Sequence, residues 1–284
     1  MNDTLKYAML IEYDGTHFNG TQKQLGGRTV QEEIENALKT VLRMPVKIVF
    51  SGRTDTGVSA LGQVAHFEYD ATEKLELHKF IYSLNGVLPP DIAVRDVEIT
   101  RSSFHARKSA LKRWYRYVIY NNAYRSAMFS KALFEPRPLS EELMHQALQQ
   151  ITGTNDFSSF KSSNSDTSSA ICTIHKAHCF RDKNFIYIDI IANRYVYNMV
   201  RILVGTLLDT GLKKTPVSHL ATVLNQHDRT KAGITAKPEG LTLMAIEYPE
   251  EFSLFENDKF MKVRDIMLKN FMESKNEDIF RKAS

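Results

Sequence analysis

The sequence contains only two cysteines among 284 residues, Cys172 and Cys179. Two thiols are too few for a disulfide framework or a cysteine-rich structural zinc site, so we expect both to be reduced. The chain also lacks an apolar run near the roughly 20 residues that cross a bilayer, and its first residues do not form a basic and then apolar leader. We therefore expect a cytoplasmic protein with no membrane segment.

A large excess of charge of one sign is also missing. The 37 Lys and Arg residues face 33 Asp and Glu residues, which gives a net charge of +4 and a pI of about 8.9. This balance suits a polyanionic partner, but many metabolic enzymes are equally basic. The hydrophobic fraction of 43% excludes a disordered or fibrous chain. The length allows one large domain or two halves of roughly 100–150 residues.

Hydrophobic patterning predicts strands and helices in the first half of the chain. Leu5 to Tyr13 alternates as a strand does, and Thr29 with Glu32 has capping-box spacing ahead of a helical repeat. A glycine-containing loop at 51–62 lies between two further strands. The predicted elements are strands at 5–13, 46–50, 63–69 and 92–99, a helix beginning at 30 and a helix at 76–84.

The second half repeats this general order without the regular rhythm of a doubly wound fold, so we predict an α+β protein. We divide the chain into an N-terminal half, 1–105, a C-terminal half, 106–249, and a helical extension, 250–284. The extension carries apolar residues at helical spacing, namely Phe260, Val263, Met267 and Phe271. The predicted elements of 106–249 are strands at 110–120, 170–179, 184–192 and 241–248 and helices at 140–151, 195–211 and 216–225.

A glycine-flanked loop, Ser51 to Val58, places one carboxylate, Asp55, two residues from the guanidinium of Arg53. Glycines let such a loop turn sharply and present the carboxylate to a ligand. An aspartate in a turn also often only accepts hydrogen bonds from nearby backbone amides. By itself the loop does not decide between these two interpretations.

Basic and aromatic residues interleave in the segment from Lys112 to Tyr117, which otherwise has the pattern of a strand. Alternation would place Arg113, Tyr115 and Tyr117 on one face and Lys112, Trp114 and Arg116 on the other. Cations that attract phosphate, beside rings that stack on bases, would hold a flipped-out or single-stranded nucleotide. Lys112, Arg113 and Arg116 are therefore candidate substrate-binding residues. The equally weighted alternative is a strand with buried rings and solvated cations.

Arg201 stands in the run from Val196 to Val204, where apolar residues surround it on nearly every side of the predicted helix. An unpaired buried charge is costly, so Arg201 must either meet a carboxylate or extend to solvent past Tyr197. Asp55 is a candidate partner. If the two meet, the pair would orient Asp55 and keep it ionised.

Eight motifs, taken in order, resemble those of the TruA family of tRNA pseudouridine synthases. Together they span about 10 to 248, which is most of the chain. They are Ile11-Glu-Tyr-Asp-Gly15, Thr29-Val-Gln-Glu32, Gly52-Arg-Thr-Asp-Thr-Gly-Val58, Ala60-Leu-Gly-Gln-Val64, Tyr115-Arg-Tyr117, Asp156-Phe-Ser-Ser-Phe160, Met199-Val-Arg201 with Gly205, and Glu239-Gly-Leu-Thr-Leu243.

The resemblance implies a pseudouridine synthase fold, in which two similar sheet-and-helix halves share a long mixed sheet around a basic cleft. It implies a homodimer that binds tRNA and converts uridine to pseudouridine in the anticodon stem-loop, at positions 38 to 40. It also implies that the reaction needs no metal and no organic cofactor.

The same resemblance assigns roles to individual residues. Asp55 aligns with the catalytic aspartate, which starts cleavage of the bond between uracil N1 and ribose C1′. Tyr115 aligns with the tyrosine that packs on the uracil and could move the C5 proton, and Arg201 with the arginine that pairs with the aspartate. Leu243 would form an apolar wall of the base pocket. Arg53 would open the stem or hold a phosphate.

Four positions depart from the family pattern. Thr21 stands where tryptophan is usual, Ser59 and Asn155 where histidine is usual, and Cys172 where arginine is common. The lost ring at 21 and the lost cation at 172 are expected to alter how RNA is held, so the target is less determined than the reaction.

Three other functions compete with this one. One is a pseudouridine synthase of the same mechanism that acts on other RNA positions. Another is a non-catalytic RNA-binding protein, against which the retained Asp55, Tyr115 and Arg201 argue. The last is a basic metabolic hydrolase that uses Asp55, for which no histidine or second carboxylate stands at a recognisable spacing.

Overall fold

The computed structural model describes residues 4–70, 74–162 and 169–255 and confirms an α+β protein. The helix predicted for the extension 250–284 falls on residues after 255, which lie outside these ranges. The described part of the first half contains strands β1 (Leu5–Tyr13), β2 (Ile48–Phe50), β3 (Ser59–Tyr69) and β4 (Ile92–Thr100) and helices α1 (Val30–Leu42) and α2 (Leu77–Val87).

The second half contributes more strands than the patterning predicts. Its described strands are β5 (Lys112–Asn121), β6 (Leu133–Glu135), β7 (Gly153–Asp156), β8 (Ile171–Asp182), β9 (Phe185–Ala192) and β10 (Leu241–Glu247). Its described helices are α3 (Glu141–Gln149), α4 (Met199–Gly211) and α5 (His219–Gln226). None of the helices in the described part of the chain is both long and apolar enough to span a membrane.

Three differences from the predicted elements have identifiable causes. Helix α4 begins at Met199 rather than 195, because Asn198 has a left-handed backbone (φ 62°) that cannot continue a helix. Strand β3 begins at Ser59, inside the predicted loop, where Ser59 and Ala60 pair with β10. Strands β6 and β7 have three and four residues, too few to show a period of two.

The described strands of both halves form one ten-stranded mixed sheet. Its main path runs in the order β4, β1, β3, β10, β5, β9, β8, β7, with β2 paired to β3 and β6 paired to β5. The last described strand, β10, lies between the halves, parallel to β3 and antiparallel to β5. Leu243 is consequently opposite both Ala60 and Tyr115.

Two large hydrophobic cores lie along this sheet, besides a small cluster around Trp114 and Ile191. One is built almost wholly from 5–106, with Ile34 of α1 and Phe67 of β3 fully buried. The other gathers mainly residues beyond 117, such as Ile188 of β9 and Leu203 of α4. Tyr115 packs against both cores and so lies at the seam. The division of the chain at 105/106 stays a prediction, because the sheet itself is continuous.

Candidate active site

The loop between β2 and β3 carries Asp55 and is folded back on itself. The amide of Val58 donates to the carbonyl of Asp55 at 3.1 Å, and the amide of Gly57 donates to the carbonyl of Phe18 at 3.2 Å. Gly57 has φ +79°, and a Cβ there would lie 2.7 Å from Pro238 Cγ, so only glycine fits. The loop is thereby fixed against the segment that precedes β10.

Arg201 reaches the Asp55 carboxylate from the first turn of α4. Its Nη1 lies 3.5 Å from Asp55 Oδ2, and the side chains of Arg201 and Asp55 are 16% and 19% exposed. Two further contacts aim the guanidinium, since Nη1 donates to Asn198 Oδ1 at 2.9 Å and Nε donates to the Ala236 carbonyl at 2.7 Å. The pairing of Arg201 with Asp55, which the sequence offered as one of two possibilities, is confirmed.

Burial and the guanidinium act on the Asp55 carboxyl in opposite directions. Burial raises the pKa of Asp55, Arg201 lowers it, and the net result is a pKa above the ordinary 3.8. The pairing therefore orients the carboxylate and restores only part of the stability that its charged form loses on burial. A carboxylate with a raised pKa is a stronger proton acceptor than one in water.

Tyr115 of β5 presents its ring beside this pair. Its ring meets that of Tyr195 edge to face at 5.0 Å between centroids, and Tyr195 is held by hydrogen bonds to the carbonyls of Arg113 (2.9 Å) and Ile190 (2.8 Å). Burial raises the pKa of Tyr115, and the nearby Tyr13 and Asp55 raise it further, so Tyr115 stays a neutral phenol. Its hydroxyl donates to no residue within the described ranges.

An apolar wall completes the side of the site nearest the sheet. Leu243 is 1% exposed and stands beside Tyr115 in the paired strand. Tyr117 follows on the same face of β5, fully buried, with its hydroxyl donating to the Lys237 carbonyl at 2.7 Å. The structure thus brings together Asp55, Tyr115, Arg201 and Leu243, contributed by a loop, two strands and a helix.

The cations of β5 are already bound within the protein. Lys112 pairs with Glu247 at 2.8 Å. Arg113 donates to four backbone carbonyls at 2.6–3.2 Å, those of Ser51, Arg107, Ala110 and Asn193. Arg116 points to the opposite face from Tyr115, where it forms two bonds to Asp189 at 2.8 and 2.7 Å. These contacts hold the three side chains against the sheet, and their role in binding RNA stays a prediction.

Arg53 differs from those three cations. It is exposed within the loop that carries Asp55, and no described carboxylate forms an ion pair with it. Its guanidinium is therefore available for a phosphate at the rim of the site.

The four departures from the family pattern lie inside the protein or in local hydrogen bonds. Thr21 is 1% exposed and Cys172 is 0% exposed. Ser59 Oγ accepts from the Gly15 amide at 3.0 Å, and Asn155 Nδ2 donates to the carbonyls of Ile151 and Thr152. Thr21 and Cys172 consequently have no surface with which to touch RNA themselves.

Sequence reasoning missed three groups that shape the site. Asn198 stands three residues before Arg201, and that spacing at a helix start was a usable signal. The Ala236 carbonyl and the Tyr195 ring had no comparable signal, because each reaches its partner only through the tertiary fold.

Comparison with known proteins gives consistent matches. A family model described as tRNA pseudouridine synthase matches residues 9–107 and 147–249. A tRNA pseudouridine synthase A of Histophilus somni (strain 2336) is 44% identical over 254 residues, which cover 89% of this chain and 94% of that protein. One of Pectobacterium atrosepticum is 42% identical over 251 residues, or 88% of each chain.

A search of solved structures gives a more distant match. It is a chain from the crystal structure of a Cbf5–Nop10–Gar1 complex, with a TM-score of 0.34 and 11% identity. The match covers 83% of this chain and 57% of that one.

Proposed function

Because the chain belongs to the family of tRNA pseudouridine synthases, we propose that it isomerises uridine to pseudouridine in tRNA and that Asp55 starts the reaction. One observation carries the assignment of the residues. A single partly exposed carboxylate, oriented by Arg201 at 3.5 Å, lies beside a tyrosine ring at the seam of the two cores. That arrangement supplies a charged group and a stacking surface in one place.

In the proposed reaction Asp55 acts on the ribose side of the uridine. The bond between N1 and C1′ breaks, the uracil rotates, and a new bond forms between C5 and C1′ while C5 loses its proton and N1 gains one. Asp55 is required whether its carboxylate adds to the ribose or removes a ribose proton to give a glycal. Its raised pKa supports either role, because a less stabilised carboxylate is more reactive.

The other residues hold the base and the anion. Tyr115 would stack on the uracil, and its neutral phenol can donate a hydrogen bond to a carbonyl of the base. Accepting the C5 proton as a phenolate is disfavoured, because burial raises the pKa of Tyr115. Leu243 is 1% exposed and would form the apolar wall behind Tyr115 in the base pocket. Arg201 would keep Asp55 in place, and Arg53 would bind a backbone phosphate.

We propose the anticodon stem-loop, at positions 38 to 40, as the target, and the motif resemblance supports this choice. The test is a map of pseudouridine in tRNA from cells with and without the gene, read as carbodiimide-dependent stops in primer extension. Loss of the stops at 38 to 40 is expected. Loss at other sites alone would overturn the target, and no loss anywhere would overturn the enzyme assignment.

Activity should fall on the acid side as Asp55 becomes protonated. Its pKa lies above 3.8 in the folded protein, so the acid limb of the rate profile should lie above that value. In Arg201→Met the stabilising charge is gone, so the pKa of Asp55 rises further and the limb moves to higher pH. Single-turnover rates between about pH 4 and 8 measure this. An unmoved limb in Arg201→Met would show that a different group titrates.

We also propose that the protein works as a homodimer, as the resemblance implies. Exposed apolar side chains between β5 and β6 support this, because such surfaces are usually covered by a partner. Tyr124 is 82% exposed, Met128 85% and Phe129 44%. Light scattering at micromolar concentration should give twice the chain mass of 32.5 kDa. A single-chain mass would contradict the proposal.

A further inference from the structure

Three hydroxyl groups form a buried cluster directly beneath the Asp55 loop. Thr21 Oγ1 lies 2.6 Å from Thr54 Oγ1, the Tyr13 hydroxyl lies 2.9 Å from Thr54 Oγ1, and it lies 3.2 Å from Thr21 Oγ1. Tyr13, Thr21 and Thr54 are 4%, 1% and 6% exposed. Each hydroxyl has one proton and the triangle has three edges, so all three can donate once and accept once within it.

Thr21 also contacts the backbone of Thr54. Its Oγ1 also accepts from the backbone amide of Thr54 at 3.0 Å, and its own amide donates to the Thr54 carbonyl at 3.2 Å. Both the peptide before Thr54 and the peptide that joins Thr54 to Asp55 are thus bonded to Thr21. Thr21 therefore holds the Asp55 backbone from its N-terminal side, in addition to the contacts of Gly57 and Val58 on the other side.

The cluster is itself attached to rigid elements. Tyr13 ends strand β1, and the Thr21 carbonyl accepts from the amide of Gln31 in the first turn of α1 at 2.9 Å. Gly20 has φ +83°, and a Cβ there would lie 2.7 Å from the Thr54 carbonyl oxygen, so glycine allows the two segments to approach. A carboxylate held through such a chain of contacts has little freedom to drift from its partner.

We propose that Thr21 is a positioning residue for the reaction, whose hydroxyl holds Thr54 so that the adjacent Asp55 faces Arg201 and the substrate. The proposal rests on the proposed function of Asp55. Thr21 is 1% exposed, so it acts through Asp55 and touches neither base nor phosphate. Its loss should alter the chemical step and leave tRNA affinity nearly unchanged.

The test compares Thr21→Val, which keeps the shape and removes the hydroxyl, with Thr21→Ser, which keeps the hydroxyl. Thr210→Val is the matched control, because Thr210 is also 1% exposed and, among the described residues, its hydroxyl bonds only that of Thr215, at 3.1 Å, near the C-terminal end of α4. Thr21→Val should lower kcat about 10- to 100-fold with KM within about twofold. Thr21→Ser should recover most of kcat, and Thr210→Val should leave it unchanged.

Two outcomes overturn the proposal: an unchanged kcat in Thr21→Val, or an equal loss in Thr210→Val. If Thr21→Val does not fold, as judged by circular dichroism, Thr21→Ala decides, since it also removes the hydroxyl that holds Thr54. A fall in its kcat of about threefold or more at constant KM supports the proposal, and no fall overturns it. The proposed function is tested separately by the activity of the unaltered protein on tRNA, so its failure is distinguishable.

Discussion

Asp55→Asn should abolish pseudouridine formation while the protein still binds tRNA. The amide has nearly the same size and can still contact Arg201, but it can neither take a proton nor attack the ribose. We expect the single-turnover rate to fall by at least about a thousandfold. Because the C5 hydrogen leaves in the reaction, release of tritium from tRNA carrying 5-tritiated uridine measures the rate directly.

The control for this substitution is Asp209→Asn. Asp209 lies on the outer part of α4, with a side chain that is 43% exposed and paired with Lys214. The activity of Asp209→Asn should therefore match that of the unaltered protein. tRNA affinity of Asp55→Asn should stay within a few-fold, since phosphate contacts supply most of it. Residual activity within tenfold of the unaltered protein would remove Asp55 from the chemistry.

Asp189→Ala should be the most destabilising single substitution proposed for this protein. Asp189 is 1% exposed on β9 and accepts from Trp114 Nε1 at 2.8 Å and from Arg116 at 2.8 and 2.7 Å. Alanine would leave a largely buried guanidinium and an indole N–H without their acceptor. Removing one partner of a buried pair costs about 3–5 kcal/mol in the free energy of unfolding. Denaturant unfolding followed by circular dichroism measures the loss.

The comparison variant is Asp209→Ala, which breaks the exposed pair with Lys214 and should cost less than about 1 kcal/mol. Asp189→Asn should fall between the two, because its oxygen can still accept one of the bonds. Equal midpoints for Asp189→Ala and Asp209→Ala would show that the Trp114, Arg116 and Asp189 contacts contribute nothing net to stability.

Much of the secondary structure could be predicted, because it depends on neighbours in the sequence. Strand β1 has the predicted bounds of Leu5 and Tyr13, and α1 begins after Thr29, whose hydroxyl accepts from the Glu32 amide as the capping spacing predicts. The start of α4 was wrong by four residues, since the left-handed backbone of Asn198 is not visible in an apolar repeat.

The site could be predicted less completely than the elements. The alternation of β5 correctly placed Tyr115 and Tyr117 on one face, but it could not show that Arg113 binds four carbonyls or that Arg116 binds Asp189. Asp189 lies 73 residues from Arg116 in the sequence, and Asn193 lies 80 residues from Arg113. Free cations and paired cations look alike in a sequence.

By itself the sequence determined the fold class, the glycine-flanked loop around Asp55 and, through its ordered motifs, the family resemblance. Those properties depend on residue type and on spacings of a few residues. Only the tertiary structure decided that Arg201 meets Asp55, that β10 brings Leu243 beside Tyr115, and that Thr21 lies beneath the loop rather than on its surface. These contacts join segments that are far apart in the chain. The burial that raises the pKa of Asp55 and the hydrogen bond between Thr21 and Thr54 both arise only when those segments pack together.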